Sequence, residues 1–344
     1  MERFIQVKDS LVEKYLSRGL NAGVLAMAPV APAEAANRAG LHVHAVGIGR
    51  KLVGGKETDT WAVRVYVIQK VNPADPQDAV PPEIEGIPTD VIESQPAFFM
   101  ADQSSAAGVR VALAGCTAKR QTRFDPVTAG FRTGSNGGGP GTIACFCEST
   151  DSADPAGLFL ALSCSHVFAG SVGADLFQPA PGDGLPAPLH FAELYRSVPI
   201  QPGPAANNKV DAAVGSLLPG VTFNSQICSI GGVTGTVAAS HDMAVVKHGQ
   251  QTGRSEGKID DVSYTSSIGA NPAAPLSGTR FINQIRILGS AGRFADFGDS
   301  GSLVVEKSSN AAVGLLFAVP SPPDTYACAN PITDVLSALQ LTII

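Results

Sequence analysis

Ser300 lies in Phe297-Gly298-Asp299-Ser300-Gly301-Ser302-Leu303-Val304-Val305, flanked by glycines and followed at once by an apolar run. A hydroxyl that attacks a carbonyl must project from a tight turn that neighbouring Cβ atoms would crowd, and glycine relieves the crowding. Backbone N–H groups of such a turn can also point at the oxygen that becomes negative in a tetrahedral intermediate. Read alone, the stretch serves equally well as a Gly-Ser loop before a buried strand. A catalytic reading needs a base and an acid to orient it.

The base is supplied by Leu158-Phe159-Leu160-Ala161-Leu162-Ser163-Cys164-Ser165-His166-Val167-Phe168, an apolar strand that runs into a histidine. Imidazole changes protonation near neutral pH, so one fixed at a strand end can act as a general base. The orienting acid is Asp211 in Asn207-Asn208-Lys209-Val210-Asp211-Ala212-Ala213-Val214. Aspartate is depleted in strands and rarely buried unpaired, so it either caps a turn or has a partner inside. His166, Asp211 and Ser300 follow one another as base, orienter and nucleophile. That chain order is the one used by double-barrel serine proteases, not by subtilisins or α/β-hydrolases.

On these residues the sequence resembles the chymotrypsin-fold (trypsin-like) serine peptidases over roughly residues 139 to 344. Gly298-Asp299-Ser300-Gly301-Ser302 is similar to the nucleophile motif, Ser165-His166-Val167-Phe168 to the histidine motif of the bacterial HtrA-like branches, and Val210-Asp211-Ala212-Ala213-Val214 to the aspartate motif. A narrower resemblance is to a cytosolic group that includes the plant NARROW LEAF 1-type proteins and bacterial relatives. It is carried by Gly141-Thr142-Ile143, Asn208–Ala213, Lys247-His248-Gly249-Gln250-Gln251-Thr252-Gly253, Val46–Gly49 and Val63–Val67. Two features depart from the secreted enzymes. No cysteine closely follows His166 to pair with Cys164, and no cleaved Ile-Val-Gly-Gly terminus precedes Gly141 to pair with Asp299. Asp299 must therefore find another partner.

The resemblance implies that Asp211 holds His166 while His166 takes the proton of Ser300. The N–H groups of Gly298 and Ser300 would form the oxyanion hole. Phe294, six residues before the serine, would lie at the bottom of the substrate pocket, with Leu316, Phe317 and Ala318 as a wall. A pocket without a carboxylate at its floor is expected to disfavour Arg and Lys. The expected activity is that of a cytosolic serine endopeptidase acting on protein or peptide substrates, with no cofactor and no metal. The alternatives are a catalytically silent protease-fold scaffold or peptide-binding protein, and a serine esterase on the same fold.

The elements that must position these residues are mainly strands. The 344 residues include only 16% charged ones, with 37 Gly and 25 Pro, the texture of a folded, turn-rich chain. Net charge is −6 and basic runs are as short as Lys119-Arg120, so nucleic acid and membrane are not expected partners. The opening residues alternate charged and apolar groups without the apolar core of a secretory signal, which points to the cytoplasm. In that compartment the six cysteines are expected as free thiols. Cys145-x-Cys147 lacks a second pair at zinc spacing.

Phe4, Val7, Leu11, Tyr15 and Leu16 predict an amphipathic helix over 4–18, with Gly19 as its stop. Strands are expected at 41–49, 61–67 and 109–115, with a loop over 72–82. Gly47-Ile48-Gly49 lacks the rest of a dinucleotide-binding pattern, and His42 and His44 read as polar strand residues rather than metal ligands. The glycine run over 131–141 is the best boundary in the chain. It divides an N-terminal α+β domain, residues 1–138, with a regulatory or oligomerisation role, from a trypsin-like serine protease domain, residues 139–344. The second part carries β-like runs at 142–147, 158–163, 210–217, 232–238, 243–247, 282–287, 302–306 and 312–319, then a helix over 332–341. The fold expected is mainly β: a two-barrel chymotrypsin-like domain, an N-terminal α+β domain and a C-terminal helix.

Overall fold

The computed structural model describes residues 1–17, 43–70, 79–99, 123–182, 187–269 and 278–344. The expected strand over 109–115, the helix stop at Gly19, His42, Lys119-Arg120 and most of the 72–82 loop lie outside these residues. Within them the fold is mainly β, with helices only at Glu2–Tyr15 and Ile332–Leu339.

Two rings of strands carry the site. In the first, Arg132–Ser135 pairs with Asp175–Gln178, which pairs with Leu189–Ser197, then Ala213–Leu217, then Phe159–Ser163. The chain from Gly141 to Ser149 closes the ring. Its start pairs with Arg132–Ser135, Ala144 N and Cys145 O bond to Leu162, and Phe146–Ser149 pairs with Phe159–Ser163. In the second ring, Ala244–Gly249, Gly253–Ile268, Thr279–Gly289, Tyr326–Pro331, Ala312–Pro320 and Leu303–Glu306 pair in that order and return to Ala244–Gly249. Closing a sheet on itself removes its edges, which suits short strands with small apolar side chains. The C-terminal helix is followed by Leu341–Ile343, which pairs with Phe146–Ser149 and straps the end of the chain to the first ring.

Both expected runs that flank the histidine and serine form strands, but Gly232–Ala238 does not: it contributes one bridge, Thr236 to Ala312. The glycine run expected to divide two domains is instead the turn of a hairpin between Arg132–Ser135 and Gly141–Thr142, inside the first ring. The helix Glu2–Tyr15 packs Val7, Leu11, Val12 and Tyr15 on Val43, Val46, Val63, Val65 and Ile87. The sheet beneath it is joined to the second ring, because Val43–Val53 pairs with Gly253–Ile268 through Ala45–Ser266 and Val46–Thr265.

That junction explains Gly47. A Cβ there would clash with Asp261 Oδ2, whose carboxylate accepts the N–H of Ile48 at 2.8 Å and of Ser263 at 2.7 Å. Burial pushes the Asp261 carboxyl up to about 7. Beside it, Asp260 pairs with Arg64 and Arg286, and the Arg286 guanidinium lies over the rings of Tyr66, Tyr264 and Tyr326. The small residues of Gly47-Ile48-Gly49 thus admit buried ionic groups, which is a packing role.

Cys145, Cys147, Cys164 and Cys328 are free and buried, whereas Cys228 is disulfide-bonded. The expectation of free thiols throughout fails at Cys228. Among the described residues no helix is long and apolar enough to cross a membrane.

Candidate active site

His166 follows the first-ring strand Phe159–Ser163, and Asp211 precedes the adjacent strand Ala213–Leu217. These strands pair with Ser163 opposite Ala213, so the chain just beyond one meets the chain just before the other. Asp211 is fully buried. One carboxylate oxygen accepts the Ser165 N–H at 2.8 Å, the Ser165 hydroxyl at 2.6 Å and the His166 N–H at 3.3 Å. The other lies 2.5 Å from His166 Nδ1. Its own N–H donates to Asn330 Oδ1 at 3.0 Å, and Asn330 in turn donates to Gln284 Oε1 at 2.6 Å.

Burial works to raise the pKa of Asp211, but His166 and the converging donors outweigh it and hold the carboxyl below its ordinary value. An ionised carboxylate only accepts hydrogen bonds, so Nδ1 carries the imidazole proton. The lone pair of Nε2 then faces Ser300 Oγ, 2.7 Å away across the two rings.

Ser300 is held from both sides. Asp299, before it, is buried and lies 2.9 Å from Lys247 Nζ, itself fully buried on the strand Ala244–Gly249. The carboxylate also accepts the Thr252 hydroxyl at 2.6 Å and the N–H groups of Gln251, Thr252 and Asp296 at 2.8, 3.1 and 3.1 Å. Burial would raise the pKa of Asp299, but Lys247 and Thr252 prevail and lower it. A lysine on a barrel strand is thus the partner that Asp299 requires. Gly301, after the serine, has φ +86°, and a Cβ there would clash with Thr142 O and Ser163 Oγ.

Thr142 ties this turn to the first ring. Its N–H donates to Ser300 O at 2.7 Å, its hydroxyl donates to Gly298 O at 3.2 Å, and that hydroxyl accepts the Gln250 N–H at 3.0 Å. Thr142→Val keeps the side chain's shape but removes the hydroxyl. Steady-state kinetics on a peptide ester should show kcat lowered by roughly tenfold to a hundredfold, the cost of a misplaced reacting group, with far-ultraviolet circular dichroism unchanged.

Gly298 and Ser300, the expected oxyanion donors, direct their N–H groups to no acceptor among the described residues. Asp299 N, between them, is spent on Asp296 O at 3.0 Å. The four expected pocket residues divide. Phe294 and Leu316 are packed in the core of the second ring with Val245, Ile259, Ile287 and Val319. Phe317 and Ala318 belong to the cluster between the rings, and Phe317 O lies 3.4 Å from Ser300 Oγ.

Cys164, His166 and Asp211 bring three ligand-type atoms close together. The Cys164 thiol, however, donates to Leu316 O at 3.2 Å, and burial raises its pKa well above the ordinary value, so the thiolate a metal would need is disfavoured.

Lys247, Thr252, Thr142 and Asn330 were given no site role in the sequence. Lys247 had a signal: a charged residue directly after the apolar run Ala244-Val245-Val246 implies a buried partner. Phe99, whose ring lies 5.5 Å from that of His166, had none, since its place depends on a pairing more than two hundred residues distant.

No protein-family model matches the chain, and no curated protein matches it. Among solved structures, the chain is similar to Cellulomonas bogoriensis chymotrypsin at 20% identity, covering 64% of this chain and 99% of that one with a TM-score of 0.44. It is also similar to Nocardiopsis protease, at 19% identity over 64% of this chain and 99% of that one, TM-score 0.45. Thermobifida fusca protease A is similar at 15% identity over 63% and 98%, TM-score 0.45. At such identities and TM-scores the likeness transfers no residue role and no activity.

Proposed function

We propose that the chain is a serine endopeptidase that cleaves peptide bonds through Asp211, His166 and Ser300. The observation that carries this reading is the unbroken succession from a buried carboxylate to Nδ1 at 2.5 Å and from Nε2 to a serine hydroxyl at 2.7 Å. In the reaction, His166 Nε2 takes the hydroxyl proton as Ser300 Oγ bonds to the substrate carbonyl carbon. Negative charge gathers on the carbonyl oxygen, where the N–H groups of Gly298 and Ser300 would receive it. His166 then passes its proton to the departing amine and leaves an acyl group on Ser300. A water, deprotonated by His166, releases the acid and restores the hydroxyl. Asp211 stays ionised throughout, fixing the tautomer and steadying the imidazolium.

Phe317 and Ala318, the two expected pocket residues that lie between the rings, would favour small or apolar side chains before the cleaved bond. Digestion of a peptide library by the purified protein tests both parts. New N-termini following small or apolar residues support the assignment, and a profile dominated by Arg or Lys contradicts the pocket. No cleavage by wild type, or equal cleavage by Ser300→Ala, contradicts the activity.

A further inference from the structure

The nucleophile is fully buried although His166 beside it is not, and a segment from the N-terminal part of the chain, Ala97–Phe99, lies against His166 and the strand that passes Ser300. The second-ring strand Ala312–Pro320 changes neighbour midway. Through Ala312, Gly314 and Leu315 one edge pairs with Leu303–Glu306. Upstream of Leu303 the chain turns off into Ser302, Gly301 and Ser300, and its last bonds to the edge are Leu316 N to Ser302 O and Gly301 N to Leu316 O. Beyond Leu316 that edge is taken by Ala97–Phe99, running antiparallel with Phe99 opposite Ala318, Phe98 opposite Val319 and Ala97 opposite Pro320. The other edge stays with Tyr326–Pro331, since Ala318 also pairs with Cys328.

The same three residues are gripped from their far side. Phe99 N donates to Gly269 O at 3.1 Å and Gly269 N donates to Ala97 O at 2.9 Å, with Phe98 packed where a Cβ of Gly269 would stand. The Phe99 ring lies 5.5 Å from the His166 ring, 5.8 Å from Phe281 and 6.4 Å from Phe317.

An extended peptide offered to Ser300 must find partners for its main-chain N–H and C=O groups, and adding to a strand edge supplies them. The edge that ends beside Ser300 is the one Ala97–Phe99 fills. A peptide in this register, continued one residue past the position of Phe99, would come opposite Phe317, whose carbonyl is 3.4 Å from the attacking hydroxyl. We propose that Ala97–Phe99 occupies the peptide-docking edge of the site as a substrate does, and that it must be displaced by an extended peptide bearing an aromatic residue against His166 and Phe281. This rests on the serine-protease reading. A site open only part of the time binds more weakly by the open fraction, so the full-length protein is self-blocked toward peptides more than toward small reagents.

The test compares two probes on full-length wild type and Phe99→Ala. One is a small alkyl fluorophosphonate, and the other is a diphenyl phosphonate carrying acetyl-Ala-Phe-Phe ahead of a leucine-like reacting group. The ratio of peptidyl to small-probe labelling rates should rise about tenfold or more in Phe99→Ala, as the edge is freed. Wild type gives a second reading that does not depend on the variant. Hydrogen exchange at the Phe99 amide should speed up markedly once the peptidyl probe is bound, because the probe takes the segment's place. An unchanged ratio, or a Phe99 amide that stays protected in the labelled protein, overturns the docking proposal while leaving the protease reading standing. Failure of both probes on both proteins overturns the two together.

Discussion

Ser300→Ala is expected to lower kcat on peptide substrates about a millionfold, and Asp211→Asn about ten-thousandfold. The gradation follows from the roles. Without Oγ no acyl group can form, and what survives is the rate that binding and the oxyanion donors give to attack by water. In Asp211→Asn the nucleophile and base remain, but the new amide can present its N–H to His166 Nδ1 and leave the imidazole proton on Nε2. That nitrogen then cannot accept from Ser300. The amide keeps one carbonyl oxygen to accept from Ser165, so the fold should survive. Stopped assays on a peptide ester, with single-turnover controls, can measure both losses. A Ser300→Ala protein within about tenfold of wild type, or an Asp211→Asn protein indistinguishable from it, would be incompatible with the assigned roles.

The second large effect is expected at a residue remote from the reacting atoms. Lys247→Met should destabilise the protein by about 3–5 kcal/mol, because Asp299 is left as a buried charge without its cation. It should also lower kcat, since Asp299 sits between the two N–H groups assigned to the oxyanion and fixes the turn that bears Ser300. The pH dependence has a definite sign. In wild type the Asp299 pKa is depressed, so the stability it contributes is complete above the ordinary carboxylate value and is lost as pH falls through the lower folded value. In Lys247→Met, burial acts without the lysine and raises that pKa, so protonation relieves the penalty. The stability gap between the two proteins should be widest at neutral pH, begin to close as pH falls through the raised value of the variant, and go on closing below about 4 as wild type loses its share. Urea unfolding from neutral pH down to about 3, at roughly half-unit steps, reads this directly. The double change Lys247→Met with Asp299→Asn, which leaves no bare charge, should recover much of the stability but little of the rate. A single variant as stable as wild type at neutral pH would show that the pair does not hold the turn.

The sequence made the site legible where chemistry is concentrated in short runs. Ser300 between glycines, His166 at the end of an apolar strand and Asp211 before another could be read from residue type and chain order, and the structure brings all three into hydrogen-bonding distance. Alternation likewise revealed the strand at 61–67, and an unbroken apolar run the one at 312–319. Less was visible where buried polar residues make the strand. Gly253–Ile268 reads as a hydrophilic stretch, yet it spans both the second ring and the N-terminal sheet because Asp260 and Asp261 are satisfied by Arg64, Arg286 and the Ile48 N–H. The glycine run at 131–141 was misleading for a physical reason: glycine marks a hairpin turn as readily as a linker, and only the partners of Arg132–Ser135 tell them apart. The partner of Asp299 and the placing of Phe99 beside His166 both arise from pairings distant in sequence, which local patterns do not encode.

The most direct measurement is the rate at which a small fluorophosphonate forms an adduct, with the modified residue located by peptide mass spectrometry. Wild type should acquire one phosphonyl group, on Ser300, and His166→Ala should react at least about a thousandfold more slowly. No adduct on wild type, an adduct at another residue, or equal rates for the two proteins would mean that His166 does not activate Ser300.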